Sequence, residues 1–497
     1  IDPTLGANIG SNVGGTVTLG GIVKNGNDNI LFLANGTGQT AAQAGKIINN
    51  SDITVTSDAK NAKTLVAYQG GEITNNAVMT NNSTRDRAVG STNVGALGMA
   101  LLGSSSIGTN SNTGKLLLQN TGTKLSVGVY NEGTFTNNGE IEVYGSEGIG
   151  VYSQGAASIT NLTNKILVNG DNSVGLFSDN TNSSNFSVGS LTLNVNGTDA
   201  YAFYAKNGGG FNITGNTAVN VGAGGIGFQY VGTGLTTSIS PTQITSMFNA
   251  GGGHLTFNLD PNSYAMVIEN AQIKTSEIGT FTAIMPSHVT MSGSNKVKLY
   301  KGHLEIDENS NIDSAAATDI KYRDLPIASS RITLNFGKTI SGTESGLAGI
   351  GQENDNIAGI TNAQMLLTNN GTITLTGANS TGMYASYGSL DSALTGKIQT
   401  ASGGVGLYGT NGTITANSGI IEFGDGGIGI YGTNVTPGTT PTYGTKDVSI
   451  THSGSIESKG TTKGYGIVAD NDGSGSSSLT INSGSLIDLS SVTNAAV

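Results

Sequence analysis

The strongest constraint on this chain is a pattern that returns about every 22 to 27 residues: an Asn-Gly or Ser-Gly step, an alternating apolar strand, then an apolar-Gly-apolar-aromatic run. One copy reads Asn138-Gly139-Glu140-Ile141-Glu142-Val143 and then Ile149-Gly150-Val151-Tyr152. Others centre on Val174-Gly175-Leu176-Phe177, Tyr201-Ala202-Phe203-Tyr204 and Ile226-Gly227-Phe228. The pattern resumes at Thr381-Gly382-Met383-Tyr384, Val405-Gly406-Leu407-Tyr408 and Ile428-Gly429-Ile430-Tyr431, with a looser copy at Tyr465-Gly466-Ile467-Val468. A fixed period with two-residue alternation inside each unit describes short strands that bury an apolar face only by stacking.

Within one unit, Ile141 and Val143 face a core while Glu140 and Glu142 face water. Ile149 and Val151 make a second inward strand, with Gly150 and Tyr152 opposite, and Ile159 with Leu162 marks a third segment. Three short strands per turn give an all-β right-handed parallel β-helix. Asn-Gly steps such as Asn138-Gly139, Asn370-Gly371 and Asn411-Gly412 are read as corners, because both residues tolerate positive φ. An antiparallel meander is the other topology these steps allow.

The organisation along the chain follows this regularity. Residues 1–114 form less regular coils, 115–231 and 365–497 regular ones, and 232–364 irregular coils with loops or a small inserted subdomain. The middle stretch holds Pro241, Pro261, Pro286 and Pro326, and the histidines His254, His288 and His303. Proline lacks a ladder donor and belongs at edges and loops. The last copy breaks off near Ser483-Gly484-Ser485-Leu486, as expected of a piece of a longer chain.

Composition narrows the class. With 77 glycines, 11% charged residues and a net charge of −11, the chain is neither a charged disordered tail nor a nucleic-acid binder, which needs concentrated positive charge. The absence of cysteine fits a chain exported unfolded through an oxidising compartment. No apolar run reaches bilayer length, the longest lying near Val94 to Leu102. No cofactor or metal site is indicated, and Gly222-x-Gly224-x-x-Gly227 matches a dinucleotide fingerprint without the helix that motif requires.

On Thr136-Asn137-Asn138-Gly139-Glu140-Ile141 with Gly148-Ile149-Gly150-Val151-Tyr152, the chain resembles the passenger region of very large autotransporter adhesins of the fusobacterial type. The resemblance covers roughly residues 115–230 and 365–490. It implies export through a C-terminal outer-membrane barrel outside this chain and display on the cell surface. It also implies attachment to host cells or other bacteria through a surface glycan or receptor protein.

Three candidate sites follow. The charged part of the middle stretch, 274–331, holds 14 charged side chains, seven of each sign. There Lys296, Lys298 and Tyr300 would share one face of a strand, Lys301 and His303 the other, with Arg323 and Arg331 as further cations. These seven residues are the expected ligand-binding set, and the competing reading is a solvated edge strand guarded by lysines. The second candidate is a column of Tyr130, Tyr152, Phe177, Tyr204, Tyr384, Tyr408 and Tyr431, which either stacks on sugars or covers neighbouring glycines. Third, a polysaccharide lyase or hydrolase would need clustered acids, for which Asp307, Glu308, Asp319 and Asp324 beside Arg323 are the available residues. Nothing marks these from a salt-bridged loop, so no catalytic residue is assigned. The leading expectation is a monomeric extracellular adhesin segment, with a structural spacer as the alternative.

Overall fold

The computed structural model describes residues 21–23, 30–40, 44–57, 62–83, 96–120, 125–179, 182–206, 208–277, 284–294, 296–314, 327–328, 330–353, 365–386, 388–410, 413–434, 447–471, 476–491 and 494–496. The described residues are all-β, and every strand pairing recorded between them is parallel, which excludes the meander. The chain forms two compact units. One comprises Ile1–Tyr230, Ser240–Val267 and Phe281–Lys296, the other Val231–Ile239, Ile268–Thr280 and Val297–Val497.

In the first unit, each layer contributes a strand to each of three stacks. Ala96–Leu102, Ser126–Asn131, Gly148–Gln154, Val174–Asp179 and Tyr201–Ala205 pair in succession in the stack that carries the aromatic column. Glu72–Asn75, Ile107–Asn110 and Thr134–Asn137 form a second stack, and Val78–Asn81, Lys115–Leu118 and Glu140–Tyr144 a third. The last two merge where Ile159–Asn169 and Phe186–Val195 run through both positions without a break. Apart from a register shift between Leu162 and Asn164, registers are kept from layer to layer, so Met79, Leu116, Ile141, Ile166, Leu193, Val219 and Phe257 form one buried column. Between residues 186 and 257 the core is filled by Phe186, Phe203, Phe211, Phe228, Phe248 and Phe257, all fully buried and packed largely edge to face.

The second unit repeats the plan with three stacks. Examples are Leu366–Asn369, Ser389–Ser392 and Ile414–Asn417 in one, Thr372–Leu375, Lys397–Thr400 and Ile420–Phe423 in the next, and Thr381–Ser386, Val405–Thr410 and Ile428–Thr433 in the third. Within 232–364 the described residues still form strands in these registers, such as Leu255–Leu259 on Val289–Gly293 and His303–Ile306 on Arg331–Leu334. The main local departure is a short helix, Pro241–Met247, with Ser240 as N-cap and proline in its first turn, where a missing N–H costs nothing.

Glycine in the repeat has a different reason from the expected one. At Asn138-Gly139 and Asn370-Gly371 the glycine φ is not positive, and Asn411-Gly412 lies outside the described residues. A Cβ on Gly139 would lie 2.1 Å from the Gly114 carbonyl oxygen, and one on Gly419 2.2 Å from that of Gly396. Corners of successive layers thus approach too closely for any side chain. The same holds inside the aromatic strands: a Cβ on Gly150 would sit 2.5 Å from the Gly175 oxygen and 3.0 Å from Ile166 Cγ2. Gly150 therefore points into the core, not outward beneath the tyrosines. The ladder skips it, and Val151 beside it also faces inward at 0% exposure. Ile149 is buried as expected, at 8% exposure, but in a separate apolar cluster with Leu97 and Val127 on which Tyr130 and Tyr152 pack, so it does not share a face with Val151.

The corner asparagines form a buried ladder. Asn49 Nδ2 donates to Asn75 Oδ1 at 2.8 Å, Asn75 to Asn110 at 2.9 Å and Asn110 to Asn137 at 2.8 Å. Each amide also serves backbone at the bend, as when Asn137 Nδ2 donates to the Gly139 carbonyl. Stacking at about 4.8 Å places identical amides within hydrogen-bond reach.

Two outcomes follow, both readable in chemical unfolding of the purified protein. Val151→Asp should cost about 3–5 kcal/mol as an unpaired buried charge, Gly150→Ala about 1–3 kcal/mol through overpacking, and Ile149→Asp less than Val151→Asp. Asn110→Ala, which removes the donor to Asn137 Oδ1 and the acceptor of Asn75 Nδ2, should cost about 1–3 kcal/mol.

Candidate functional site

Of the expected binding residues, those described in the second unit, Lys298, Tyr300, Lys301, His303 and Arg331, are divided between two stacks. The strand Val297–Tyr300 ends at Tyr300, with Val297 and Leu299 buried and Lys298 and Tyr300 partly exposed. Lys296 is exposed just before it, its carbonyl accepting from the Ala265 N–H. Lys301 turns the chain with φ +48° and its ammonium lies 4.8 Å from the Tyr300 ring centre. His303 begins another strand, in a different stack, so the shared face expected for Lys301 and His303 does not exist. Arg331 is its neighbour in register one layer on, and Arg323 lies outside the described residues. His303 is held in place: Nδ1 lies 2.8 Å from the Leu235 carbonyl and Nε2 2.9 Å from Thr333 Oγ1. Burial lowers its pKa.

The acids considered for catalysis have structural partners where they are described. Asp307 accepts from Thr275 Oγ1 and from the Ser276 N–H and hydroxyl, a turn-forming arrangement that holds its pKa low against the effect of burial. Asp319 and Asp324 lie outside the described residues.

The aromatic column exists on both units, its neighbouring rings in contact: stacked at Phe177–Tyr204 and Tyr408–Tyr431, edge to face at Tyr152–Phe177, and tilted at Tyr130–Tyr152 and Tyr384–Tyr408. Ring centres of Tyr130, Tyr152, Phe177 and Tyr204 follow at 5.3, 4.6 and 4.7 Å. Tyr408 and Tyr431 stack at 5.1 Å with planes 3° apart. Faces occupied by neighbouring rings are not open to sugars, so the column acts chiefly as a cross-strand stabiliser. Its phenols meet acidic partners at the rim: Tyr130 donates to Glu132 at 2.8 Å and Tyr152 to Asp179 at 3.2 Å. Burial, then Asp179, pushes the Tyr152 pKa up to about 12.

Glu142 is 6% exposed, which corrects its expected placement in water. Its Oε1 lies 3.0 Å from both Lys115 Nζ and Lys165 Nζ, on the layers before and after. Burial opposes ionisation, but the two ammonium groups outweigh it and hold the carboxyl below its ordinary value of 4.5. Glu422 repeats the device with Lys397 and Gln399.

The broadest ordered polar surface in the first unit was not singled out from sequence. On the outer side of the merged stack, Thr192 and Asn194, Ala218 and Asn220, Thr256 and Asn258, and Thr290 and Ser292 align layer by layer. Asn220 Nδ2 donates to Asn194 Oδ1 at 2.7 Å, Asn258 Nδ2 to Asn220 Oδ1 at 2.9 Å, and Ser292 Oγ to Asn258 Oδ1 at 3.3 Å. Thr290 Oγ1 donates to Thr256 Oγ1, and His254 Nε2 lies 3.2 Å from Thr290 Oγ1. Two open depressions lie here. One of about 490 Å³ is lined by Asn216, Thr217, Ala218, His254 and Thr256, and one of about 330 Å³ includes Asn196, Asn220, Asn258, Asp260 and Ser292. No lysine or arginine lines either. Asn220 and Asn258 each use one donor and one acceptor position along the stack, and Asn194 one acceptor position, so further valences of these amides are not used by the ladder. The sequence signal is a small polar residue at one phase of successive strands, Asn194, Asn220, Asn258 and Ser292, preceded two residues earlier by Thr192, Ala218, Thr256 and Thr290.

Among the described residues no group of three or more His, Cys, Asp or Glu is placed to hold a metal, and no helix is long and apolar enough to cross a membrane. Comparison with protein-family models, curated proteins and solved structures gave no match.

For the charge cluster, Glu142→Gln should destabilise at neutral pH. A carboxyl whose folded pKa is lowered stabilises above its unfolded value and loses that contribution as pH falls through the folded one. The difference between wild type and variant should therefore shrink as pH drops below 4.5, followed by urea unfolding at several pH values.

Proposed function

We propose that this chain is a right-handed parallel β-helical segment of a bacterial surface adhesin, displayed at the outer membrane as a monomer. It attaches to a host or bacterial glycan, or to a receptor protein, and catalyses no reaction. The observation that carries this reading is the flat amide and hydroxyl face of Asn194, Asn220, Asn258, Ser292, Thr256 and Thr290, ordered by the layers beneath it. A rigid scaffold that repeats the same donors and acceptors at each layer suits a polyhydroxylated chain, because recognition can be multiplied without ordering cost at each contact. The absence of lysine and arginine from its depressions favours a neutral ligand over a sulfated or sialylated one.

A structural spacer is the second reading. The ring faces given over to stacking and the dispersal of the expected basic set both favour it.

The test is a glycan array and a panel of receptor ectodomains probed with wild type and with Asn220→Asp/Asn258→Asp. Binding by wild type that weakens tenfold or more in the variant, about 1.4 kcal/mol, supports the adhesin reading at this face. Binding that the variant retains moves the site elsewhere. No binding by wild type to either panel favours the spacer.

A further inference from the structure

At the inward corner position of the second unit, successive layers carry Asn369, Ser392, Asn417 and His452. The two asparagines close their bends by the same bond, Oδ1 accepting from the Gly371 N–H at 3.0 Å and from the Gly419 N–H at 3.1 Å. At His452 the ladder replaces an amide that cannot titrate with an imidazole that can, at 0% exposure.

Both ring nitrogens are committed. Nε2 lies 3.2 Å from the Leu486 carbonyl, which requires an N–H there. Nδ1 lies 3.2 Å from Asn417 Nδ2 and must accept. One neutral tautomer satisfies both. A second proton would place Nδ1–H against the Asn417 amide N–H, and rotating that amide would turn its NH₂ onto the Gly419 N–H. Ser485 Oγ also donates to the His452 carbonyl, so the residue fastens its own layer to the next.

Among the described residues no counter-charge is recorded against the ring. Glu422 bonds Lys397 and Gln399, Glu457 bonds Ser455 and Lys459, and Asp488 bonds the Ser490 N–H. Burial accordingly lowers the His452 pKa, with the bond to Leu486 opposing it. A histidine whose folded pKa is lowered leaves stability intact above its unfolded value of 6.5 and removes it as pH falls below that value. Because a stacked layer is held only by its neighbours, the loss stays local.

We propose that His452 is an acid trigger: protonation releases Val448–His452 and Ser455–Ser458 from the layer before them and frees the edges of Ile414–Asn417 and Ile420–Phe423. Freed strand edges offer unpaired N–H and C=O groups to another strand.

Hydrogen exchange of the whole chain, corrected for the intrinsic pH dependence of exchange, tests this at about pH 7.5 and about pH 5.5, on either side of the histidine range. Wild type should lose tenfold or more protection across 448–458 at the lower pH. His452→Asn, which restores the ladder's usual residue, should keep its protection, whereas His303→Asn should behave as wild type. An equal loss in His452→Asn, or none in wild type, overturns the proposal. An NMR titration of the His452 ring in wild type provides a check that needs no variant. Its midpoint should fall below 6.5 and coincide with the loss of protection. Titration without that loss overturns the proposal as well.

Discussion

The structure depends on the distance between hydrogen-bonded layers. Parallel pairing holds backbones at about 4.8 Å, and every residue of one layer must tolerate its counterpart at that spacing. Where backbones come closer still, only glycine fits: Gly139 over Gly114, Gly419 over Gly396, and Gly150 against Gly175. The same spacing turns a corner asparagine into a rung, so that Asn49, Asn75, Asn110 and Asn137 satisfy one another in the dry interior. A lone buried amide would be costly, whereas in the ladder each amide is partner to the next.

Charge and aromatic side chains obey the same geometry. Glu142 is nearly buried because lysines on both adjacent layers reach its carboxylate. Tyrosines that a single unit would expose lie ring to ring when layers stack, which uses the faces that sugar recognition would need. Repetition therefore converts side chains typical of binding sites into structural ones. The uncharged ladder of Asn194, Asn220, Asn258 and Ser292 is instead ordered along the stack on the outer side of the sheet.

The basic set around Lys296 shows how little of a site can be read from adjacency. Those residues were grouped by their closeness in sequence and by the alternation expected of one strand. Lys301 takes positive φ and turns the chain, so His303 enters another stack and its partners become Leu235, Thr333 and Arg331. Leu235 is distant in sequence, and nothing local announces it.

The sequence by itself determined the class of structure. Its period, the alternation of Ile141 and Val143, and the glycines and asparagines at one phase suffice for short stacked strands, because those features are set by single residues and their nearest neighbours, whereas parallel rather than antiparallel pairing is seen only in the structure. The tertiary structure decided which way the pattern faces. Gly150 interrupts the alternation, so Val151 and Ile149 are both buried but in different clusters, and two-residue counting from sequence wrongly puts them on one face. It also decided that Glu142 is covered, that His452 has a single acceptable tautomer, and that Asn194, Asn220 and Asn258 form one surface. Each of these depends on what lies one layer above or below, some 23 to 38 residues away in the chain, and that register exists only once the layers have stacked.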